Sequence, residues 1–75
     1  MLSKEVAARI YKFAIEAGDE LKGKLPLHPD HPVRNSYAHV WREVKHTMGK
    51  TYLECEDSDE EKILSVIRET VKNPR

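Results

Sequence analysis

Two histidines three residues apart, His28 and His31, stand in the run His28-Pro29-Asp30-His31-Pro32-Val33-Arg34-Asn35-Ser36. This spacing is that of a metal-ligand pair. Structural zinc, however, takes four tetrahedral ligands, commonly contributed as two such pairs. The remaining donors are His39, His46 and Cys55. His39 and His46 are seven helical residues apart, or about 10.5 Å along an axis, and zinc–nitrogen bonds are only about 2 Å long. A second pair therefore does not form, and prolines beside both His28 and His31 stiffen the loop. The expectation is a rigid connection with its imidazoles hydrogen-bonded to backbone or water, without metal or cofactor.

The same run has a second chemistry. Arg34, Asn35 and Ser36 stand where a helix begins, and free N–H groups at a helix start attract negative charge. His39 and Arg42 follow one and two turns later. At 100° per residue, His39 and His46 project away from the apolar stripe of that helix, with Arg42 and Glu43 between them. A phosphate or carboxylate would meet several donors here. The simpler reading is that Asn35 or Ser36 caps the helix itself and Arg34 pairs with an acid.

Other chemistries are poorly supported. A Cys–His dyad would need a reactive Cys55. A small thiol beside Tyr52 and Leu53 reads as core, and Glu54, Glu56 and Asp57 oppose thiolate formation. Asp57-x-Asp59-x-Glu61 starts like a calcium loop, but Lys62 holds the glycine position and Arg68 the final glutamate position. Gly49-Lys50-Thr51 lacks the earlier glycine of a phosphate loop, since Val44 occupies that place. The chain is not expected to be an enzyme.

Three helices would position these residues. Val6, Ile10, Phe13, Ala17 and Leu21 recur at helical spacing over residues 4–22, with Ala7, Tyr11, Ala14 and Ile15 widening the stripe. Ser3 is the candidate N-cap, Gly23 the C-terminal glycine, and Gly18 weakens the last turn. A second helix spans 36–48 behind Asn35 or Ser36 and stops at Gly49. Its stripe is Tyr37, Val40, Trp41, Val44 and Met48, which places Trp41 in the core rather than on a base-stacking surface. A third spans 59–72, with Ser58 and Glu61 as a capping box and Ile63, Leu64, Val66, Ile67, Thr70 and Val71 inward. Asn73-Pro74 ends it. Thr51 to Cys55 fits a short helical turn that docks Tyr52, Leu53 and Cys55 on the core. The fold class is all-α: one compact antiparallel three-helix domain over residues 1–75.

Charge narrows the function. Thirteen Lys/Arg balance thirteen Asp/Glu, so the overall field of a typical nucleic-acid binder is missing. The charges are nonetheless segregated. Lys22, Lys24, Arg34, Arg42, Lys45 and Lys50 face only Asp30 and Glu43 over residues 22–50, whereas residues 54–61 carry Glu54, Glu56, Asp57, Asp59, Glu60 and Glu61. The two segments are expected to be solvated and to neutralise each other in part across the fold. No apolar run reaches the roughly 20 residues of a membrane span, and a single cysteine suits a reducing, cytoplasmic setting. The expected function is a non-catalytic intracellular interaction or regulatory module. Its binding residues would be Arg34, Asn35, Ser36, His39, Arg42 and His46, and its partner another protein or a second copy of itself. The alternative is a small nucleic-acid or phosphate-ligand binder using the basic 34–50 face.

Overall fold

The structure, a computed structural model, describes residues 1–24 and 35–73. Three helices, α1 (Lys4–Leu21), α2 (Ser36–Met48) and α3 (Glu60–Lys72), pack against one another in all three pairings. Single 3₁₀ turns at Tyr52–Glu54 and Asp57–Asp59 join α2 to α3, and no strand occurs among the described residues. The prolines and histidines at 28, 29, 31 and 32, together with Pro74, lie outside the described residues.

Local signals set most boundaries. Ser3 accepts the Val6 N–H at 3.3 Å and caps α1. Helix α1 stops at Leu21, one residue before the expected end, and Gly23 follows at φ 75°. Asn35 caps α2 by accepting the N–H groups of Tyr37 and Ala38 at 3.0 and 3.1 Å. Gly49 ends α2 in the left-handed region at φ 77°, its N–H bonded to the Lys45 carbonyl. A side chain there would be strained, so glycine is the residue that permits this stop.

The entry to α3 differs from expectation. Ser58 and Glu61 make no capping box. The reciprocal contact lies two residues earlier, around the 3₁₀ turn, where the Glu56 N–H donates to the Asp59 carboxylate at 3.0 Å. The Asp57–Asp59 turn reaches the first donors before α3 begins at Glu60, which leaves Ser58 exposed in mid-turn. Two further acids of this run are occupied too. Asp57 accepts the Ser3 N–H at 2.7 Å, and Glu60 accepts both Nε and a terminal nitrogen of Arg9, at 2.7 and 2.9 Å. The acidic run therefore fastens α3 to the start of α1. Its partners are not the basic residues of α2.

The core is small and aliphatic. Ile10 and Leu21 of α1, Val40 and Val44 of α2, Ile63 and Ile67 of α3, and Cys55 from the connection are fully buried. Each large aliphatic side chain so enclosed contributes about 1.5–3 kcal/mol. Phe13, Trp41, Met48, Tyr52, Leu64, Val66 and Val71 close the periphery. Leu53 does not join them; it is 50% exposed. A 3₁₀ turn has three residues per turn, so side chains at i and i+3 eclipse. Tyr52 and Cys55 share the inward side, and Leu53 is left outside.

Candidate interaction surface

Helix α2 is seated on α1 by its first two residues. Ser36 Oγ donates to the Gly18 carbonyl at 2.7 Å, and Ser36 is buried. The Tyr37 ring lies against the bare Gly18 backbone, its hydroxyl donates to the Asp19 carboxylate, and Lys22 Nζ sits 5.7 Å above the ring centre. The Asp19 hydrogen bond, then burial, pushes the Tyr37 phenol above its ordinary range.

That seating fixes the rotation of α2 and separates the residues expected to form one site. Arg34 lies outside the described residues. Asn35 spends its carboxamide oxygen on its own helix, and Ser36 points inward at α1. Arg42 and His46 are exposed. His39 does not face solvent as the stripe implied. It is 6% exposed and lies against α3, with Nε2 3.9 Å from Glu43 Oε1. The buried arc of α2 is centred on Val40 and Val44, flanked by His39 toward α3 and by Trp41 on the opposite side. The polar groove between α2 and α3 encloses about 320 Å3 and is lined by His39, Glu43, Lys62, Glu69 and Thr70 among others. Among the described residues, no three potential metal ligands come together.

The other flank of α2 holds a larger hollow of about 730 Å3. Trp41 and Tyr52 stack with ring centres 4.4 Å apart at 19°, and Tyr11 of α1 adds a third ring 6.2 Å from Trp41 at 26°. Offset stacking at such separations contributes about 0.5–1.5 kcal/mol beyond burial. Burial raises the Tyr52 phenol above its ordinary range, and Tyr11 adds to the effect. Ala38, Arg42 and Lys45 of α2 line one side of the hollow, Thr51 and Leu53 another. Tyr11 and Leu53 are 53% and 50% exposed. Two of the three large apolar side chains that the described chain leaves open to solvent, Met1 being the third, therefore converge on one hollow. No carboxylate among the described residues forms an ion pair with Arg42 or Lys45.

Tyr11, Tyr52 and Leu53 were not expected at a binding surface. The eclipsed geometry of a 3₁₀ turn is the signal that singles out Leu53. Nothing comparable in the sequence distinguishes Tyr11 from its neighbours on the widened α1 stripe.

Cys55 is fully buried, its Sγ 3.6 Å from the Thr51 carbonyl oxygen. Burial, followed by the charge of Asp59, raises its thiol above the usual range. No described helix is long and apolar enough to cross a membrane. Comparison of the chain with protein-family models, with curated proteins and with solved structures finds no match.

Proposed function

We propose that this chain is a non-catalytic protein-interaction module that docks its partner on the aromatic hollow between α1, α2 and the Tyr52–Glu54 turn. The observation that carries the reading is the convergence of half-exposed Tyr11 and Leu53 on a hollow floored by stacked Trp41 and Tyr52, with Arg42 and Lys45 at its edge. Apolar side chains left in water by a domain of this size have a natural use in covering by a partner. Aromatic residues and arginine are also the types enriched where partners bury their anchors. The partner would insert apolar side chains and bring carboxylates to the two cations. Self-association is the narrower form of the same reading, in which the partner is a second copy.

Single-stranded nucleic acid is the competing occupant, because aromatic rings beside cations also suit stacked bases. Two observations favour protein. Trp41 already spends a stacking face on Tyr52, and the chain carries no net positive charge to draw a polyanion.

A photo-crosslinking residue placed at exposed Ala38, inside the hollow, tests the reading in cells of the source. The comparison is the same residue at Lys62, on the opposite side of α2. The expected result is an adduct at Ala38 that survives nuclease, is destroyed by protease and disappears in Tyr11→Ala/Leu53→Ala. A nuclease-sensitive adduct would establish the nucleic-acid alternative. Adducts from Lys62 and none from Ala38 would move the working surface to the α2–α3 groove.

A further inference from the structure

We infer that the occupant of the hollow is an acidic amphipathic helix of a partner protein, an inference that rests on the interaction reading above. Three features of the hollow carry it: the shape of its wall, the state of its backbone and its unbalanced charge.

Ala38, Trp41, Arg42 and Lys45 stand at i, i+3, i+4 and i+7 of α2, so the wall they form is one helical stripe about 10.5 Å long. Tyr11 and Leu53 rise beside it from different elements. A stripe flanked in this way is a short groove parallel to α2, wide enough at about 730 Å3 for a row of inserted side chains. An amphipathic helix presents such a row at i, i+3, i+4 and i+7 of its own.

The α2 wall of the hollow offers an incoming chain no backbone groups to pair with. Helix α2 satisfies its own N–H and C=O groups, and no described residue belongs to a strand whose edge could extend. An extended peptide would lie here with its own amides unpaired wherever water was excluded, which is costly. A helical segment arrives with those groups already bonded to each other. Recognition along that wall then falls to side chains.

The charge sets the sign of the occupant. The chain is neutral only as a sum. Asp57 is taken by the Ser3 N–H, Asp59 by the Glu56 N–H and Glu60 by Arg9. Arg42 and Lys45, three residues apart on α2, form no ion pair among the described residues. Carboxylates flanking the apolar row of the incoming helix would meet them, with rim charges of this kind steering encounter and fixing register.

The test uses the intact chain and Trp41, its single tryptophan, as the reporter inside the hollow. The probes are tryptophan-free synthetic peptides with leucine at helical spacing and glutamate on the flanks. They are compared with scrambled peptides of the same composition, with glutamate-to-lysine versions and with a single-stranded oligonucleotide. The acidic amphipathic peptides are expected to shift Trp41 emission saturably and to gain helical circular dichroism on binding. Scrambling should weaken binding by about tenfold or more, the equivalent of one 1.4 kcal/mol step. The variant Arg42→Glu/Lys45→Glu, checked for unchanged helicity, should lose the acidic peptides and accept the lysine ones. Equal binding of scrambled and helical peptides would overturn the helical occupant while leaving the interaction surface standing. No shift of Trp41 by any peptide overturns the inference, and a nuclease-resistant Ala38 adduct would then show that the surface reading survives it. A shift produced by the oligonucleotide alone would overturn both.

Discussion

The ring of Tyr37 rests on Gly18 where any other residue would place a side chain. A β-carbon at Gly18 would stand 2.3 Å from Tyr37 Cδ1 and 2.9 Å from Cγ. These atoms belong to the root and flank of a ring held by its hydroxyl on Asp19, so they cannot swing away as the tip of a flexible chain would. By helix propensity alone Gly18→Ala should stabilise α1 by about 1 kcal/mol. The expected outcome is the opposite sign, a loss of about 1–3 kcal/mol through overpacking. Urea denaturation followed by circular dichroism measures it. In a double-mutant cycle with Tyr37→Ala the Gly18 penalty should largely vanish, because the obstructing ring is gone. An additive cycle would show that Gly18 is needed for something other than this close approach.

Ser58 and Asp59 test the start of α3. Ser58 is exposed and caps nothing, so Ser58→Ala should change stability by less than about 0.5 kcal/mol. Asp59 holds the Glu56 N–H at 3.0 Å. Asp59→Ala should cost about 1 kcal/mol, in the range of a lost cap. Thermal or urea midpoints of the two variants check the order. A larger loss from Ser58→Ala would return the cap to the Ser58–Glu61 register.

This two-residue displacement shows how much of the chain was readable from sequence. Helix existence followed from spacing, because Ile10, Ala17 and Leu21, or Ile63, Ile67 and Thr70, include separations of seven and share a buried face in a helix but not in a strand. The caps Ser3 and Asn35 and the stop at Gly49 are local chemistry and were legible for the same reason. Ser58 was misread because several residues in an acidic run can cap, and the preceding 3₁₀ turn decides which one does. The rotation of α2 was a larger loss. Its apolar residues define one stripe, but packing against two helices buries a broader arc, and only the Ser36–Gly18 and Tyr37–Gly18 contacts settle where that arc lies. His39 was thereby moved from surface to interior, and Trp41 from core centre to the edge of a hollow.

Trp41 at that edge should therefore contribute less than an enclosed ring. Loss of a fully buried large aromatic costs about 3–5 kcal/mol. Trp41 is partly buried, packed against the edge of the core and stacked on Tyr52 at 4.4 Å. Trp41→Ala is expected to cost about 2 kcal/mol, and Ile67→Ala, from the sealed core, about 2–5 kcal/mol. Parallel urea titrations of the two variants test the ranking. A greater loss at Trp41 than at Ile67 would place the ring in the core and close the hollow.

Cys55 offers a direct reading of core opening. Its thiol is sealed and raised above the usual range by burial. A disulfide reagent at mildly alkaline pH should label the native chain far more slowly than the chain in urea, with one equivalent consumed on unfolding. The sign of the accompanying pH effect is fixed. The native state retains its proton to higher pH than the unfolded state, so this stabilisation is full below the unfolded thiol's range and declines as pH rises through the folded one. Rapid stoichiometric labelling without denaturant would show that the connection between α2 and α3 is open to solvent.

The Arg9–Glu60 pair gives the opposite dependence at acid pH. Glu60 accepts two hydrogen bonds from Arg9, at 2.7 and 2.9 Å, and these hold its carboxyl below the usual range, the attraction of the charge adding to them. Arg9 is in turn held above its own range by the same hydrogen bonds. A depressed folded pKa means that the unfolded state binds the proton first. The contribution of Glu60 is therefore present above the ordinary carboxylate range and is lost as pH falls through the folded value. Glu60→Gln should flatten the acid limb of the stability–pH curve and leave the alkaline limb, governed by Cys55 and the raised tyrosines, unchanged. Because the pair is open to water, added salt should reduce the difference between Glu60→Gln and the parent chain. Chemical denaturation from neutral pH into the acid range, at low and high salt, measures both effects. An acid limb that is equally steep in Glu60→Gln would mean that the bridge to Arg9 is not what couples the start of α3 to protons.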